Sequence, residues 1–409
     1  MLTRRTFLQT AAASAAVAAP QAHPKRIAIV TTIYRYLSHA QHMGDRFLVG
    51  YPHEGAWHMP DIKVVSLYVD QKPEGDQSGA RAKEFGFQVY PTIAETLRCG
   101  GKELAVDAVL IIGEHGNYPR NEKGQILYPR YEFFQECVKV FEKDGRAVPV
   151  YNDKHLSYSF EKASEMVAAS KRLKFPMLAG SSIPVTWRLP AVDIPYGAEI
   201  EDALMVGVGG SDPMDFHALE GLQCMVERRK GGETGVKAVR MLQGEAVWSA
   251  PYSKELLTAA LSRSDTPLGN TVADGRTQDL VALGELPKLV KNPGAYFIEY
   301  RDGLKATLLM LDGAVKDFNF AAKVKGAGTI STQFLLTPEP NVTYSACLMH
   351  KAEQMFETGV AAYPVERTLL VSGVLESCLT SKVKDHTRLE TPHLKVAYKA
   401  PRESQFPRA

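Results

Sequence analysis

Cysteine is scarce in this chain of 409 residues, and its five cysteines lack the spacing of a metal-binding or disulfide framework. No two of them form a C-x-x-C pair, and an odd number cannot all pair with one another. We therefore interpret them as core residues rather than as ligands or cross-links. They are Cys99, Cys137, Cys224, Cys347 and Cys378.

Strong charge of one sign and long apolar runs are also missing. The formal net charge is +2, and no run of Lys and Arg interleaved with aromatic residues occurs, so nucleic acid is not an expected partner. Beyond residue 22 no segment reaches the ~18 apolar residues of a membrane helix, so no membrane span is expected. Hydrophobic residues make up 45% and charged residues 23%, which is the composition of a soluble globular protein.

The N-terminal segment, residues 1–22, differs from the rest of the chain. Arg4 and Arg5 are closely followed by Phe7-Leu8 and then by an Ala-rich, weakly apolar stretch. This segment resembles a twin-arginine signal peptide, which implies export to a periplasmic or other extracytoplasmic location. The alternative is an amphipathic N-terminal tail that happens to carry two arginines.

The length of the chain predicts two domains. Over residues 25–180 short apolar strands alternate with helices, beginning with a strand at 26–30 and a helical segment at 31–43. Residues 106–112 are apolar on both faces, as a central strand covered by helices must be. We predict an α/β fold whose N-terminal domain is a Rossmann-like, doubly wound parallel sheet over residues 25–180.

The C-terminal domain, residues 181–400, is predicted to be α+β with an open, mainly antiparallel sheet. Residues 295–311 contain two apolar runs around Arg301-Asp302-Gly303, a turn sequence typical of a β-hairpin. Residues 315–324 are expected to form a third, neighbouring strand. An open sheet of this kind could pair with a second copy, so a homo-oligomer is one expectation for the assembly.

The turn after the first strand lacks the glycines of the dinucleotide-binding motif G-x-G-x-x-G. Residues 30–39 contain no glycine, and Thr31, Ile33 and Tyr36 would place side chains where the phosphates should lie. This argues against the usual pose of NAD(P). Asp70 ends the second predicted strand, where a ribose-binding carboxylate is expected, although it could equally form a turn. Thr31 and Asp70 are the cofactor-binding candidates in this part of the chain.

A polar loop follows the apolar run at 106–112. It begins with Gly113, Glu114 and His115 and ends with Tyr118-Pro119. Ligands of open α/β sheets bind at the carboxyl ends of such strands, so Glu114 and His115 are the best-placed candidates for chemistry.

Most of the chain after the N-terminal segment resembles the Gfo/Idh/MocA (glucose-fructose oxidoreductase and inositol dehydrogenase) superfamily. The resemblance is clearest over residues 25–250 and returns at 363–370, with 106–113 similar to the superfamily's central strand. It implies an enzyme that oxidises or reduces a sugar or related polyol with a nicotinamide cofactor. It also implies that the substrate lies in a cleft between the two domains.

The superfamily's Glu-Lys-Pro motif corresponds to Asp153-Lys154-His155 in this chain. The resemblance implies that Lys154 assists proton transfer to a substrate hydroxyl, while Asp153 stands at a cofactor-binding position. Because burial favours a neutral amine, a lysine at the end of a buried strand can serve as a general base. His155 adds a second titratable group in place of proline. The alternative for Lys154 is a solvated charge after the strand.

Residues 207–220 resemble the superfamily's glycine run followed by Asp-x-Gly-x-His. His217 matches the catalytic histidine of that motif, which acts with the lysine as acid or base. Pro213 stands where the motif has its aspartate, with Asp212 and Asp215 on either side, and either carboxylate could orient the imidazole. The alternative is that Asp215 caps a helix and His217 is packed in the core.

Histidines near the N-terminus raise a separate expectation of a divalent metal. Imidazoles three residues apart on a helix can share one face, and zinc or a similar ion would need further ligands of the same kind. The first candidates are His39, His42, His53, Glu54 and His58. The further ligands would be Glu114, His115, Asp153 or His155. The alternative is a solvent-facing loop that is rich in histidine.

Three hypotheses for the function follow from these residues. The first is an exported carbohydrate-active enzyme of the Gfo/Idh/MocA type whose NAD(P) binding is altered or lost. Its catalytic groups would be Glu114, His115, Lys154, His155 and His217. The second is a redox-inactive lyase, epimerase or metal-assisted hydrolase acting on a sugar. The third is a non-catalytic protein that binds a sugar or a partner, since a fold alone does not establish chemistry.

Overall fold

The computed structural model describes residues 23–210, 212–266, 279–337 and 343–408. The predicted signal peptide, residues 1–22, lies outside the described residues, so export and the extracytoplasmic location stay predictions. Within the described ranges no helix has the length and apolar character needed to cross a membrane.

The described strands and helices are numbered here in chain order. The strands are β1 (Lys25–Thr31), β2 (Tyr51–His53), β3 (Ala56–His58), β4 (Ile62–Val69), β5 (Gln88–Val89), β6 (Ala108–Ile112), β7 (Val150–Asp153), β8 (Met177–Gly180), β9 (Arg188–Leu189), β10 (Ile200–Gly207), β11 (Val236–Gln243), β12 (Gly294–Tyr300), β13 (Lys305–Met310), β14 (Phe318–Val324), β15 (Gly328–Phe334) and β16 (Leu389–Glu390). The α-helices are α1 (Arg46–Val49), α2 (Ser78–Phe85), α3 (Ile93–Arg98), α4 (Arg130–Asp144), α5 (Phe160–Leu173), α6 (Asp212–Val226), α7 (Lys254–Leu261), α8 (Leu286–Leu289), α9 (Thr343–Thr358) and α10 (Glu366–Val383).

The N-terminal sheet is parallel throughout and has the strand order β5-β4-β1-β6-β7-β8. This is the order of a doubly wound dinucleotide-binding sheet, in which the direction of winding reverses between the first strand and its neighbour. Here the reversal falls between β1 and β6, and every residue of β6 is buried, as its apolar sequence predicts. The Rossmann-like prediction is confirmed.

The segment after β1 departs from the prediction of a helix over residues 31–43. It continues as a loop, then forms a π-helical turn over Ala40–Gly44 and the single turn α1. Side chains in the loop bond to nearby backbone in place of a helical ladder. The Thr31 hydroxyl lies 3.1 Å from the carbonyl of Ile33 and shares its proton between this oxygen and the Ile112 carbonyl, and the Ser38 hydroxyl accepts from the Arg35 amide at 3.1 Å. No long helix therefore begins at the carboxyl end of β1.

The C-terminal sheet has the order β16-β11-β12-β13-β10-β14-β15-β9. All of its pairs are antiparallel except β10 with β13, so the prediction of a mainly antiparallel sheet is confirmed. The predicted hairpin is β12–β13, and Gly303 in its turn has a φ of +97°, a value that favours glycine. The predicted third strand exists as β14, but β10 separates it from β13, so its adjacency to the hairpin was wrong.

One apolar core joins the two sheets. It includes Val30 of β1, Ile111 of β6 and Met205 of β10, and helices α6 and α10 pack against each other within it. The opposite face of the N-terminal sheet packs against α9, whose Met349 and Phe356 share a second core with Phe47 of α1. Helix α9 thus covers part of the face that the crossover after β1, with its short α1, leaves open.

The buried carboxyl of Glu220, on α6, gives a prediction about stability. Burial raises its pKa to about 7, from an ordinary value of 4.5. The folded protein therefore binds this proton more tightly than the unfolded chain, and the free energy of unfolding falls as pH rises from about 4.5 to 7. Glu220→Gln removes that loss, which amounts to about 3 kcal/mol at full ionisation. Its stability advantage over the parent should grow by about 2 kcal/mol between pH 5 and pH 8 in urea denaturation.

A matched control for that measurement is Glu136→Gln, because the Glu136 side chain is 47% exposed on α4. The difference between this control and the parent should change by less than about 0.5 kcal/mol over the same pH range. An advantage of Glu220→Gln that shrinks towards pH 8 would contradict the prediction.

Candidate active site

Polar side chains from several elements converge at the carboxyl ends of β6, β7 and β8. The loop after β6, the end of β7, the residue after β8 and the first turns of α6 each contribute to them. We call this set the strand-end cluster. Its members are His39, Glu114, His115, Arg130, Asp153, Lys154, His155, Ser181, Asp212 and His217. The predicted catalytic residues are therefore brought together in one place.

Lys154 and His217 form the first hydrogen-bonded pair of the cluster. The Lys154 Nζ lies 2.9 Å from His217 Nε2, and Ser181 Oγ lies 2.5 Å from His217 Nδ1. Burial, followed by the charge of Lys154, holds the pKa of His217 well below its ordinary value. A neutral His217 accepts from the Lys154 ammonium at Nε2 and donates from Nδ1 to the Ser181 hydroxyl.

Backbone conformation at Lys154 is also unusual. Its φ is +58°, in the left-handed region that non-glycine residues rarely adopt, and its side chain is buried. His115 shares this feature, with a φ of +68°. Strain of this kind persists only where surrounding contacts enforce it, and it is concentrated at functional sites.

His39 and Asp153 form the second pair. The His39 Nδ1 lies 2.7 Å from Asp153 Oδ2, and the ring of His115 meets the His39 ring edge-on with centroids 5.0 Å apart. Burial, followed by the charge of Lys154, lowers the pKa of His39 well below its ordinary value. The His39 side chain is 17% exposed, whereas that of Asp153 is 1% exposed, so the imidazole is the member of the pair that solvent can reach.

Glu114 lies at the buried floor of the cluster. Its carboxylate contacts the Arg130 guanidinium and lies 4.0 Å from Lys154 Nζ. Burial alone would raise the pKa of the Glu114 carboxyl, but Lys154 and Arg130 more than offset burial and hold it below its ordinary value. The Thr32 hydroxyl donates to the Glu114 carbonyl at 2.6 Å, which fixes the start of this loop against the end of β1.

His155 lies behind the two pairs rather than beside them. Its ring bridges Arg130 at 2.9 Å and Asp212 at 3.1 Å, and only 2% of the residue is exposed. His155 thus contacts Arg130 and Asp212 rather than either pair, and its predicted role as an acid or base stays a prediction. Gln125 donates to the other Asp212 oxygen at 3.1 Å and completes this chain of contacts.

The predicted carboxylate partner of His217 was wrong. Asp212 bonds to His155, while Asp215 accepts from the Gly210 amide at 3.1 Å and from the Tyr296 hydroxyl. Ser181 occupies the position next to His217 Nδ1 instead. Burial raises the pKa of Asp215 to about 7, and the neighbouring Asp212 charge adds to this effect, although hydrogen bonding from Tyr296 opposes it.

The cofactor-binding candidates at β1 and β4 have their polar atoms engaged within the chain. The Thr31 hydroxyl donates to the carbonyl of Ile112 at 3.0 Å. Asp70 accepts from the hydroxyls of Tyr68 at 2.9 Å and Tyr118 at 2.6 Å. The third candidate, Asp153, is the partner of His39 described above. Cofactor contact by these residues stays a prediction.

The loop after β6 is tied to the end of β4. Gln71 donates to the Asn117 carbonyl at 3.1 Å and accepts from the Asn117 amide at 2.9 Å. A side chain added at Gly116 would lie 3.4 Å from Ile33 Cγ2, so this loop also packs over Ile33. Of the two bulky residues expected to occupy the phosphate region, Ile33 is 1% exposed, whereas Tyr36 is 59% exposed and faces solvent.

The residues proposed as metal ligands fall into two groups. His39 bonds to Asp153 beside His115 and His42, while His53 and His58 lie against α9. Glu54 is exposed. Within the described ranges the only set whose ligand atoms all lie within 4.8 Å of one another is His58, His350 and Glu353. The expectation of a metal held by the strand-end residues is not supported.

Three members of the cluster were missed as catalytic or supporting groups. Ser181 directly follows β8, so the same strand-end argument that selected Glu114 could have found it. His39 was considered only as a metal ligand, because nothing in the local sequence pairs it with a residue 114 positions later. Arg130 begins an amphipathic helix, and no signal distinguishes it from a solvated arginine.

Comparisons with known proteins connect this geometry to a fold. No protein-family profile and no curated protein sequence matches the chain. Solved structures do match over 90% of it. GenD2 from gentamicin A biosynthesis, in complex with NAD, is 14% identical, is covered over 97% of its length and has a TM-score of 0.56.

Two further dehydrogenases match over similar lengths. A probable dehydrogenase from Thermotoga maritima is 11% identical and covered over 99%, with a TM-score of 0.53. The myo-inositol dehydrogenase from Lactobacillus casei, in complex with NAD(H) and myo-inositol, is 10% identical and covered over 96%, with a TM-score of 0.52. The chain therefore has the two-sheet fold of the Gfo/Idh/MocA-type dehydrogenases, the superfamily that its own sequence motifs resemble.

Proposed function

We propose that this protein is a carbohydrate-active enzyme that moves protons on its substrate at the strand-end cluster without a nicotinamide dinucleotide in the usual pose. The observation that carries the proposal is the presence of two proton-handling pairs side by side. Lys154 lies 2.9 Å from His217, and His39 lies 2.7 Å from Asp153, the residue before Lys154. A sugar or sugar derivative is the substrate class supported by the fold, since a neighbour of the same fold binds myo-inositol.

The two pairs differ in what they can do to a substrate. Lys154 carries an ammonium that can donate a proton to a substrate oxygen, with His217 available to receive a proton in return. His39 is a neutral imidazole whose Nδ1 lies against the buried Asp153 carboxyl, an arrangement that orients the ring so that it can accept a proton from the substrate. One pair can therefore remove a proton from carbon while the other protonates oxygen.

This division fits an elimination or an epimerisation on a sugar that carries a carbonyl or carboxylate group. In an elimination His39 takes the proton from the carbon next to that group, the C–O bond of the neighbouring hydroxyl breaks, and Lys154 supplies the proton that makes the leaving group water. In an epimerisation the proton returns to the opposite face of the same carbon. Both reactions balance without an oxidant or a reductant.

Three features support the proposal that NAD(P) is not held in the usual way. The phosphate-binding glycines are missing and no long helix starts after β1, so the positive end of a helix dipole is not placed under a diphosphate. The Asp70 carboxylate is exposed, but it already accepts from two tyrosine hydroxyls. The loop after β6 is tied across Ile33 to the end of β4. The residues at the ends of β1, β4 and β6 therefore do not fit NAD(P) in its usual pose.

The rival candidate is an oxidoreductase that holds NAD(P) in another pose. The fold likeness to an NAD complex over 90% of the chain favours it. The two are separated by a sharp expectation. If the proposed function is right, the purified protein should contain no nicotinamide by mass spectrometry, and millimolar NAD⁺ should not stabilise it. If the rival is right and the Kd for NAD⁺ is one hundredth of that concentration, NAD⁺ should add about 2.7 kcal/mol to the free energy of unfolding. The Lactobacillus casei myo-inositol dehydrogenase is the positive control for both measurements.

The same protein, freed of small molecules, should incorporate solvent deuterium into a substrate from a panel of keto sugars and sugar acids in D₂O. Incorporation or loss of water without added nicotinamide supports the proposed function. Stoichiometric nicotinamide in the purified protein supports the rival instead. Binding of a sugar with no exchange in any member of the panel, together with no bound nicotinamide and no stabilisation by NAD⁺, would overturn both in favour of a non-catalytic binding protein.

A further inference from the structure

A second group of polar side chains lies where the β2–β3 hairpin meets α9, and it shares no residue with the strand-end cluster. Tyr51 and His58 lie on the paired strands of the hairpin, opposite each other in register, while His350 and Glu353 lie on α9. Residues 350 and 353 are three positions apart on a helix, so they project from the same side of it. We call Tyr51, His53, His58, His350 and Glu353 the hairpin cluster.

The distances within the hairpin cluster are short. His58 Nε2 lies 2.8 Å from Glu353 Oε1, and one ligand atom from each of His58, His350 and Glu353 lies within 4.8 Å of the others. The Tyr51 hydroxyl contacts the other oxygen of Glu353 and lies 3.0 Å from His350 Nδ1. The ring of His53 stacks on that of His350 with centroids 3.9 Å apart.

The carboxylate of Glu353 has an unusual environment. The residue is 2% exposed, and a buried carboxylate is normally paired with a cation. Among the described residues its hydrogen-bond partners are the Tyr51 hydroxyl and the His58 imidazole. The neighbouring Lys351 does not contribute to this environment, since its ammonium donates to Gln354 at 3.3 Å. Neither of these partners is a permanent cation, since His58 carries a charge only when it is protonated.

The donors match one class of ion. Two imidazoles and one carboxylate form a ligand set that zinc accepts, with a fourth position left for water or another ligand. Ligands at about 2.0–2.1 Å from a tetrahedral ion lie roughly 3.4 Å apart, so small rotations from the present separations are sufficient. The His53 and His58 side chains are 32% and 34% exposed, which leaves a path from solvent.

We propose that His58, His350 and Glu353 bind one divalent transition-metal ion of the zinc class, which holds the β2–β3 hairpin against α9. His58 and Glu353 are 295 residues apart in the sequence, so the ion would join two distant parts of the chain. Tyr51 orients the Glu353 carboxylate in this site. The ion is structural, and its binding does not depend on the chemistry proposed for the strand-end cluster.

The test uses the full chain, purified without a histidine tag and stripped of metal by a chelator. Zinc titration by calorimetry should show one ion per chain, and cobalt should give the visible absorption of a tetrahedral nitrogen and oxygen site. His58→Gln and Glu353→Gln should each weaken zinc binding by at least about 100-fold, the upper range for residues that only support a ligand. Amide hydrogen exchange of residues 51–58 should slow when zinc is added to the parent.

Both variants are chosen to keep the fold, because His58 is partly exposed and glutamine retains the size of Glu353. The control is Glu136→Gln, whose side chain is 47% exposed on α4 and lies outside the hairpin cluster, and its zinc affinity should stay within about threefold of the parent. The proposal is overturned if the parent binds no zinc at millimolar concentration. It is equally overturned if folded His58→Gln and Glu353→Gln bind zinc as tightly as the parent does.

Discussion

Replacing Lys154 by methionine should lower the rate of proton exchange on the substrate by about 10²–10⁴-fold, the usual contribution of a positioned acid or base. Methionine keeps most of the length of the side chain but removes the Nζ that lies 2.9 Å from His217 and 4.0 Å from Glu114. The loss should fall on kcat, because the ammonium acts on the oxygen that changes protonation in the reaction. Exchange of solvent deuterium, followed by mass spectrometry, measures it directly.

The control for this variant is Lys139→Met, since the Lys139 side chain is 68% exposed on α4 and lies outside the cluster. Its exchange rate should equal that of the parent. A Lys154→Met protein that is folded and exchanges deuterium at the parent rate would remove Lys154 from the mechanism.

The pH dependence of the parent provides an independent check on the same cluster. Burial lowers the pKa of both His39 and His217 well below the ordinary value of 6.5, so both imidazoles are neutral bases at pH 7. The rate should therefore stay level as pH falls from 8 towards 6.5 and decline only below that value, where the imidazoles begin to bind protons. Solvated histidines would instead give a decline centred near 6.5.

The parts of the fold that follow from local pattern could be predicted from the sequence. Strand β6 is an unbroken apolar run, and only a position covered on both faces explains it. The β12–β13 hairpin was found from Asp302-Gly303, a pair that supports the positive φ of a tight turn, and Gly303 has such a φ. The crossover after β1 could not be found in this way, since its course depends on side-chain bonds to backbone that compete with a helix.

Contacts between distant segments account for what the sequence could not predict. Ligands of open α/β sheets bind at the carboxyl ends of the strands, and from this Glu114, Lys154 and His217 could be predicted to share a site. No local pattern says which of these groups bonds to which. Ser181 rather than a carboxylate meets His217 because α6 turns Asp212 towards His155 and Asp215 towards Tyr296. The packing of α9 on the N-terminal sheet could not be predicted for the same reason. The apolar residues of α9 indicate that one side of the helix is buried, but they do not indicate which part of the chain covers it.

Replacing Arg130 by methionine should have the largest effect on stability, a loss of about 3–5 kcal/mol in the free energy of unfolding. Arg130 is 1% exposed, and its guanidinium contacts Glu114, donates towards His155 at 2.9 Å and lies over the ring of Tyr128. Without it the Glu114 carboxylate remains buried with only the more distant Lys154 as a cation. Urea denaturation at pH 7 measures the loss.

The surface control is Arg172→Met. Arg172 also pairs with a carboxylate, Glu142, but the two side chains are 57% and 44% exposed, so the loss should stay below about 1 kcal/mol. An Arg130→Met protein that loses no more than this control would show that the buried pair makes little difference to stability.

Two further measurements identify the unpaired carboxylate as the cause of the loss. The double variant Arg130→Met with Glu114→Gln should recover a large part of the lost stability, because removing both partners leaves no buried charge without a counterion.

The loss of stability in the single variant, Arg130→Met, should also depend on pH. In the parent, Lys154 and Arg130 together outweigh the effect of burial and hold the pKa of Glu114 below 4.5, so the pair stabilises the fold above that pH and less as pH falls. In Arg130→Met the buried carboxyl can escape its cost by taking up a proton. The deficit relative to the parent should therefore shrink as pH is lowered towards 4.5 and be largest at neutral pH.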